Sequence, residues 1–219
     1  MPTFIGIDAF PGGWVAVYIG GGRDRFDYAA TADRLLDVCY ERAMIDIPIG
    51  LPEHGYRDCD LSARLVIGPS AFLGARWGVW DFESYDAANE HYRSVGDTAI
   101  SQQLWQLRAK LREVNLTMTP ERQRHLLETH PELVFRRLNA NRPLARKKSR
   151  EGRSQRIDLL NGQGVSRIEE WLGQRYGTGI GRDDLIDAGV CAVAARDSMD
   201  RLPRGEPPAH RGIRAEMWF

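Results

Sequence analysis

Acidic residues lie where apolar segments of this chain begin or end. Asp8 ends the first apolar run, Asp46 interrupts the apolar run AMIDI, and Glu128 follows a Leu-Leu pair. Asp184 and Asp187 are three residues apart at the start of an apolar helical segment, which places them on one helix face. A buried carboxylate is costly unless it is paired or binds a metal. These positions are therefore the candidate catalytic residues.

Carboxylates that converge on one sheet edge repel one another, and a divalent cation is the usual remedy. Because all the donors are oxygens, the pattern predicts Mg²⁺ or Mn²⁺ rather than Zn²⁺. A structural interpretation stays open for single acids: Asp8 could open the PGG turn, Asp184 could be a helix-start acid, and Asp187 could pair with an arginine. Along the chain, a strand that ends in Asp8 is followed by a hairpin, a strand that contains Asp46 and a helix that begins with Asp184 and Asp187. This order favours one site shared by these acids.

Residues 136–156 form a basic segment, with nine Lys and Arg residues against one acid, Glu151. Lys147, Lys148, Arg150 and Arg153 are the candidate phosphate-binding residues, although they could also offset charge near the site, and the segment as a whole predicts a possible nucleic-acid partner. A solvated basic face is the alternative interpretation, because a run of like charge alone does not define a site.

Histidine and tryptophan supply weaker candidates. His130 could be a general acid or a metal ligand, but a lone His beside Pro131 favours a structural role. Trp77, Trp80 and Trp105 could stack on bases, although packing in a core is the favoured interpretation.

Composition excludes several classes of protein. The 219 residues are 42% hydrophobic and 27% charged with a net charge of zero, so a globular fold is expected and global charge requires neither nucleic acid nor membrane. Three widely spaced cysteines, Cys39, Cys59 and Cys191, argue against a zinc site or a disulfide framework. With no apolar run near the ~18 residues that span a bilayer, a soluble, cytoplasmic protein with no membrane partner is expected.

Hydrophobic periodicity predicts an α/β protein. Strands are expected near 3–9, 13–19, 26–29, 43–48 and 125–129, the first three of them antiparallel. Thr31 is expected to cap a helix over 32–42, and Thr119 is expected to cap the start of another helix. Residues 53–120 are expected to form a mostly helical insertion. Later helices are expected from Pro131 through Leu138, at 154–161 and 165–175, and from Asp183 to Met199.

Five motifs carry a resemblance that covers nearly the whole chain: GIDAFPGGWVAV, MIDIPIGLP, ETHPELVFRRL, KKSREGRSQRIDLL and DDLIDAGVCAVAA. In this order they resemble a bacterial family of predicted nucleases with an RNase H-like fold, distantly similar to Holliday-junction resolvases. The resemblance implies a single domain over 1–219, built on a mixed five-stranded sheet flanked by helices, with the helical insertion at about 53–120.

The resemblance also implies a site. Asp8 matches the acid of the first strand, Glu128 resembles the acid after a later strand, and Asp184 and Asp187 resemble the acids of the C-terminal helix; these four would hold the metal. Asp46 is an extra acid that could replace or supplement Glu128. The implied activity is two-metal hydrolysis of phosphodiester bonds.

Two other functions stay open at the level of sequence. One is a non-catalytic RNase H-like module that binds nucleic acid or protein. The other is a phosphohydrolase acting on a small nucleotide. The neutral net charge favours a small substrate or an assembly role, whereas the basic segment favours a polymer. The sequence defines neither the oligomeric state nor a choice between DNA and RNA.

Overall fold

The computed structural model describes residues 2–198 and 200–219. The chain divides into two compact units. The first unit comprises Met1–Asp46, Arg124–Asp200 and Trp218–Phe219, and the second comprises Ile47–Gln123 and Arg201–Met217. The second unit therefore contains the whole of the predicted insertion.

Nine strands are found in the described residues. They are β1 (Thr3–Phe10), β2 (Gly13–Gly20), β3 (Arg25–Ala29), β4 (Arg42–Ile45), β5 (Leu126–Glu128), β6 (Arg201–Leu202), β7 (Ala209–His210), β8 (Ile213–Arg214) and β9 (Met217–Trp218).

Nine α-helices are found over the same residues. They are α1 (Ala32–Leu35), α2 (Asp58–Ile67), α3 (Tyr85–Ser94), α4 (Gln102–Gln106), α5 (Arg108–Thr117), α6 (Pro131–Leu138), α7 (Arg150–Gly162), α8 (Ile168–Gln174) and α9 (Arg182–Asp197). Short 3₁₀ turns cover Gly68–Ser70, Val79–Asp81 and Arg122–Arg124.

The first unit is built on a five-stranded mixed sheet in the order β3-β2-β1-β4-β5. The β1–β2 and β2–β3 pairs are antiparallel, whereas the β1–β4 and β4–β5 pairs are parallel. Register places Gly6 opposite Met44 and Ile7 opposite Ile45. The five predicted strands and the antiparallel arrangement of the first three are confirmed.

Helix α9 is the central helix of this unit and packs against β1, β2 and β4. Every residue from Leu185 to Ala195 is buried, as expected for a helix that is apolar or small on all sides. Gly6 makes this close contact possible, because a Cβ there would overlap the backbone of Ala188 and Ala192. The small residues of α9 thus bring the helix directly onto the first strand.

Several predicted helix boundaries are wrong. The helix predicted over 32–42 ends at Leu35, because Val38 and Cys39 are exposed and offer no further apolar face. Thr31 makes no side-chain capping bond there. Thr119 starts only a 3₁₀ turn, in which its hydroxyl accepts the N–H of Arg122 at 3.1 Å.

Later in the chain, α6 is confirmed at its predicted bounds, and α7 begins before the predicted residue 154 because Ser149 caps it. The last helix begins at Arg182 and ends at Asp197. Met199, the predicted end of that helix, lies outside the described residues.

The second unit carries helices α2 to α5 and is held by buried arginines. The Arg57 guanidinium donates to the Asp60 carboxylate and to the Ile49 carbonyl. Arg76 donates to the carbonyl of Thr98 at 3.0 Å. These bonds satisfy groups that would otherwise be costly to bury.

The three tryptophans considered for base stacking lie in this second unit. Trp77 and Trp80 contact each other edge to face, with ring centroids 5.1 Å apart, and Trp105 is buried. Packing thus accounts for much of their surface. In the described part of the chain, no helix has both the length and the apolar character needed to cross a bilayer.

Candidate metal centre

Three carboxylates of the first unit converge. Asp8 lies on β1, Asp46 directly follows β4, and Asp187 lies on α9; one ligand oxygen of each falls within 4.8 Å of the other two. Of the five acids predicted from sequence, these are the three that the structure brings together.

Strand geometry explains the convergence of the first two acids. Gly6 and Met44 face α9, and side chains alternate along a strand, so Asp8 and Asp46 face α9 as well. The N–H of Asp46 donates to the Ile7 carbonyl at 3.0 Å, which extends the parallel ladder by one residue. The two acids therefore lie side by side, opposite Asp187.

Burial and mutual repulsion disfavour ionisation of this cluster. Asp8 is 8% exposed and Asp187 is 3% exposed. Burial raises the pKa of Asp8 well above its usual range, and the charges of Asp46 and Asp187 raise it further. Burial likewise raises the pKa of Asp46, and it raises the pKa of Asp187 to about 7 although Lys147 opposes the shift.

Lys147 is the cation of the cluster. Its ammonium donates to Oδ2 of Asp187 and also acts electrostatically on Asp8 and Asp46. Burial lowers the pKa of Lys147, but Asp187 more than offsets this and the pKa stays above its usual value. The other oxygen of Asp187, Oδ1, is buried and has no hydrogen-bond partner among the described residues.

Asp184 lies one helical turn before Asp187 but serves the start of α9. Its Oδ2 accepts the N–H of Gly181 at 2.8 Å, as an acid at the third helical position does. Burial raises the pKa of Asp184, and the bond from Gly181 acts in the opposite direction. The carboxylate is close enough to influence Asp8 electrostatically, although it is not one of the three converging acids.

Glu128 faces away from the cluster. In the parallel β4–β5 pair, Leu127 lies opposite Met44 and packs in the core beneath α9, whereas Glu128 lies opposite Ile45. Alternation therefore directs Glu128 to the other face of the sheet. Between the two acids that the sequence left open, the structure brings Asp46 and not Glu128 to Asp8 and Asp187.

An ion pair that the sequence did not single out borders the cluster. Arg156 is buried on α7, and one of its terminal nitrogens donates to both carboxylate oxygens of Glu132, at 2.8 and 2.7 Å. Glu132 raises the pKa of both Asp46 and Asp187, so Arg156 offsets a charge that would add to the repulsion. His130 caps α6 by accepting the N–H of Glu132.

The comparison with protein families decides membership. The model of a family described as "Protein of unknown function (DUF429)" matches residues 6–208. The chain belongs to this family. The matched range includes the three converging acids and Lys147. No curated protein and no solved structure matched the chain in the corresponding searches.

The description of the family names no reaction, so we infer the chemistry of the site from its donor atoms. Three carboxylates and one ammonium leave two negative charges when all are ionised, which suits one divalent cation. Oxygen donors fit Mg²⁺ or Mn²⁺. Cys191 lies near the acids, and burial raises the pKa of its thiol well above the usual value. Mg²⁺ and Mn²⁺ prefer oxygen donors to sulfur, so the carboxylates are the expected ligands.

The basic segment of this family member divides between internal and outward-facing cations. Lys147, predicted to bind phosphate or to offset charge near the site, contacts Asp187. Lys148 and Arg150 are exposed, Arg153 is half-buried, and none of the three forms an ion pair with another described residue. These three side chains have charges available for an external anion.

Proposed function

We propose that this protein is a hydrolase of phosphodiester bonds that depends on Mg²⁺ or Mn²⁺, with a nucleic acid as substrate. One observation carries the proposal: Asp8, Asp46 and Asp187 converge within 4.8 Å, and the Asp187 Oδ1 is buried without a hydrogen-bond partner in the described part of the chain. An unpartnered carboxylate oxygen beside two other acids is unfavourable in a folded protein unless a cation compensates it.

The arrangement of the acids supports the same activity. An RNase H-like nuclease has a mixed sheet whose first three strands are antiparallel, with acids from the first strand, a later central strand and the C-terminal helix. In this chain the acids come from β1, the end of β4 and α9, and the sheet has three antiparallel strands followed by two parallel ones. An RNase H-like nuclease is therefore the form of hydrolase that we propose.

Each side chain has a role in this proposal. Asp8, Asp46 and Asp187 would hold the divalent cation, which would polarise the phosphoryl oxygen and lower the pKa of bound water. The charges of Asp46, Asp187 and Asp184 all act on the Asp8 carboxylate. Lys148, Arg150 and Arg153 would bind backbone phosphates on the outside of the segment that delivers Lys147.

A second candidate function rests on Lys147. Because its ammonium already contacts Asp187, the cluster could be a charge-compensated structural element in a module that binds without hydrolysis. A lysine in place of a metal would then make the acids indifferent to divalent cations. The two candidates differ in whether substrate is cleaved and whether metal is bound.

Hydrolysis assays test the proposal. Labelled single-stranded DNA, duplex DNA, RNA and the small diester bis(p-nitrophenyl) phosphate would be incubated with and without Mn²⁺. We expect Mn²⁺-dependent cleavage that falls at least 100-fold in Asp46→Asn and Asp187→Asn, a loss typical of removing a metal-holding group. Glu128→Gln should retain most activity because Glu128 faces away from the cluster.

Asp158→Asn is the matched control, since Asp158 is an exposed acid on α7. Cleavage of the small diester alone would indicate that the substrate is a small nucleotide rather than a polymer. Absence of cleavage of every substrate would favour the binding module.

A further inference from the structure

Lys147 is presented to the acids by a segment that is fixed on both sides. Before it, the N–H of Ala145 donates to the Gln155 side chain at 2.8 Å, and the Ala145 carbonyl accepts from Arg156 at 3.1 Å. After it, Ser149 caps α7 by accepting the N–H of Gly152 at 2.9 Å. The backbone on either side of Lys147 is thereby attached to α7.

Gly152 shows how closely this segment packs on α7. A Cβ at Gly152 would overlap the carbonyl oxygens of Ala145 and Arg146. The position of Lys147 is therefore set by packing of the chain rather than by the attraction of its charge to the acids alone.

The type of cation is unusual for this chain. Of its 30 basic residues only three are lysines, and one of the three contacts the acid cluster. An ammonium is a compact charge on a flexible stem, whereas a guanidinium forms a rigid bidentate fork with carboxylates, as Arg156 does with Glu132. A lysine can leave one carboxylate oxygen for another partner more easily than an arginine can.

We propose that Lys147 is an internal counter-cation that a divalent metal ion displaces from Asp187. This inference rests on the proposed metal site. Without metal, the Lys147 ammonium compensates Asp187 Oδ2, and Oδ1 has no hydrogen-bond partner among residues 2–198 and 200–219. When a divalent ion enters, two cations compete for one buried carboxylate, and the ammonium leaves because its side chain is already 36% exposed. Metal affinity is then set by competition with a residue of the same chain.

Metal affinity measures the competition directly. Binding of Mn²⁺ would be measured by calorimetry for the wild type, Lys147→Met and, as the matched control, the exposed neighbour Lys148→Met. Removing a competitor strengthens binding by its coupling free energy, so we expect Lys147→Met to bind Mn²⁺ about tenfold more tightly. Lys148→Met should bind like the wild type. Equal or weaker binding by Lys147→Met would overturn the inference.

A second measurement needs no variant. An amine-reactive reagent would modify the wild-type protein with and without Mg²⁺, and mass spectrometry would follow each lysine. We expect slow modification of Lys147 without metal and at least fivefold faster modification with Mg²⁺, while Lys148 reacts alike in both. Asp8→Asn, which weakens the metal site, should remove the effect of Mg²⁺. No change at Lys147 in the wild type would overturn the inference.

Both experiments omit substrate, so their outcome is separate from hydrolysis. Exchange of Lys147 without cleavage of any substrate would support the counter-cation and contradict the hydrolase. Cleavage of a substrate by the wild type, together with unchanged metal affinity in Lys147→Met, would support the hydrolase and contradict the counter-cation. Absence of metal binding in every variant would overturn both.

Discussion

Gly6 lies directly against the carbonyl oxygen of Ala188, where a Cβ would leave no space between β1 and α9. This contact fixes the distance between the strand that carries Asp8 and the helix that carries Asp187. Asp8 is two residues after Gly6 on the same face, and Asp187 immediately precedes Ala188. The acid cluster therefore depends on a residue that has no side chain.

Gly6→Ala tests this dependence. The added methyl meets backbone atoms of Ala188 and Ala192, which cannot rotate away, so α9 must move outward. We expect a loss of about 3 kcal/mol in the free energy of unfolding, at the upper end for overpacking, and loss of Mn²⁺ binding. Urea unfolding and calorimetry would measure the two effects.

Gly173→Ala, on helix α8, is the control for a methyl added at an open position, because among the described residues no atom beyond its chain neighbours and its own helix backbone lies within 4 Å of the added Cβ. We expect it to be neutral or to stabilise the protein by less than about 1 kcal/mol. A Gly6→Ala variant as stable as Gly173→Ala would show that the β1–α9 contact is looser than described.

The pKa of Asp187 predicts how stability depends on pH. This pKa is raised from 3.8 to about 7 in the metal-free fold, mainly by burial. Between these values the folded protein binds more protons than the unfolded chain. The stabilising contribution is therefore full below about pH 4 and is lost as pH rises through about 7. Asp187→Asn should flatten this part of the stability profile, as measured by urea unfolding between pH 5 and pH 8.

Metal binding should show the opposite trend with pH. A divalent ion requires ionised carboxylates, so the Mn²⁺-induced rise in melting temperature should be larger at pH 8 than at pH 6. A rise of the same size at pH 6 and pH 8 would indicate that Asp187 is already ionised at pH 6. Burial would then raise its pKa less than to about 7.

The sheet could be predicted from the sequence because it rests on local patterns. Apolar runs separated by PGG and GGG turns indicated the first three strands, and the continuous apolarity of AMIDI indicated a strand with parallel neighbours. The helix after β3 was predicted too long, because Leu36 and Cys39 continue an apolar spacing that the structure leaves partly or fully exposed. Periodicity shows which residues could be buried but not whether a partner surface is present.

The site could be predicted only in part. Acids beside or within apolar segments indicated Asp8, Asp46 and Asp187 as candidate site residues. The choice between Asp46 and Glu128, however, depends on strand register. One residue of register reverses the face, and no sequence pattern specifies it here. For Lys147 the sequence left open whether it binds an external phosphate or offsets charge near the site. Its contact with Asp187 joins residues 40 positions apart, which no local pattern indicates.

Arg156 protects the cluster from the charge of Glu132. Arg156→Met would leave that carboxylate without its bidentate partner next to Asp46 and Asp187, and breaking a buried pair is strongly destabilising. We expect a loss of about 3 kcal/mol by urea unfolding. Arg153→Met, in which the arginine has no ion pair among the described residues, should change stability by less than about 0.5 kcal/mol. Similar losses in both variants would argue against the special role of the pair.

The outward-facing cations predict a salt-dependent affinity for nucleic acid. Lys148→Ala combined with Arg150→Ala removes two exposed charges, so the slope of log affinity against log salt should decrease in magnitude by about 1.5. Fluorescence anisotropy with a labelled oligonucleotide and the Asp8→Asn protein would measure binding without cleavage. Arg93→Ala, an exposed arginine of α3, is the control. An unchanged slope would assign Lys148 and Arg150 to solvent.

Thermal melting of the wild type and Asp8→Asn, each with and without Mn²⁺, tests most directly whether the acid cluster is a metal centre. At about 100 times the dissociation constant, Mn²⁺ should raise the melting temperature of the wild type by about 5–10 °C. Asp8→Asn should lose most of this rise. Without metal it should melt no lower than the wild type, because the substitution replaces a carboxyl whose ionisation is opposed by burial and by the charges of Asp46 and Asp187. A wild type indifferent to Mn²⁺, together with an Asp8→Asn variant that melts several degrees lower, would identify Asp8 as a structural residue of β1 and contradict the metal-dependent hydrolase.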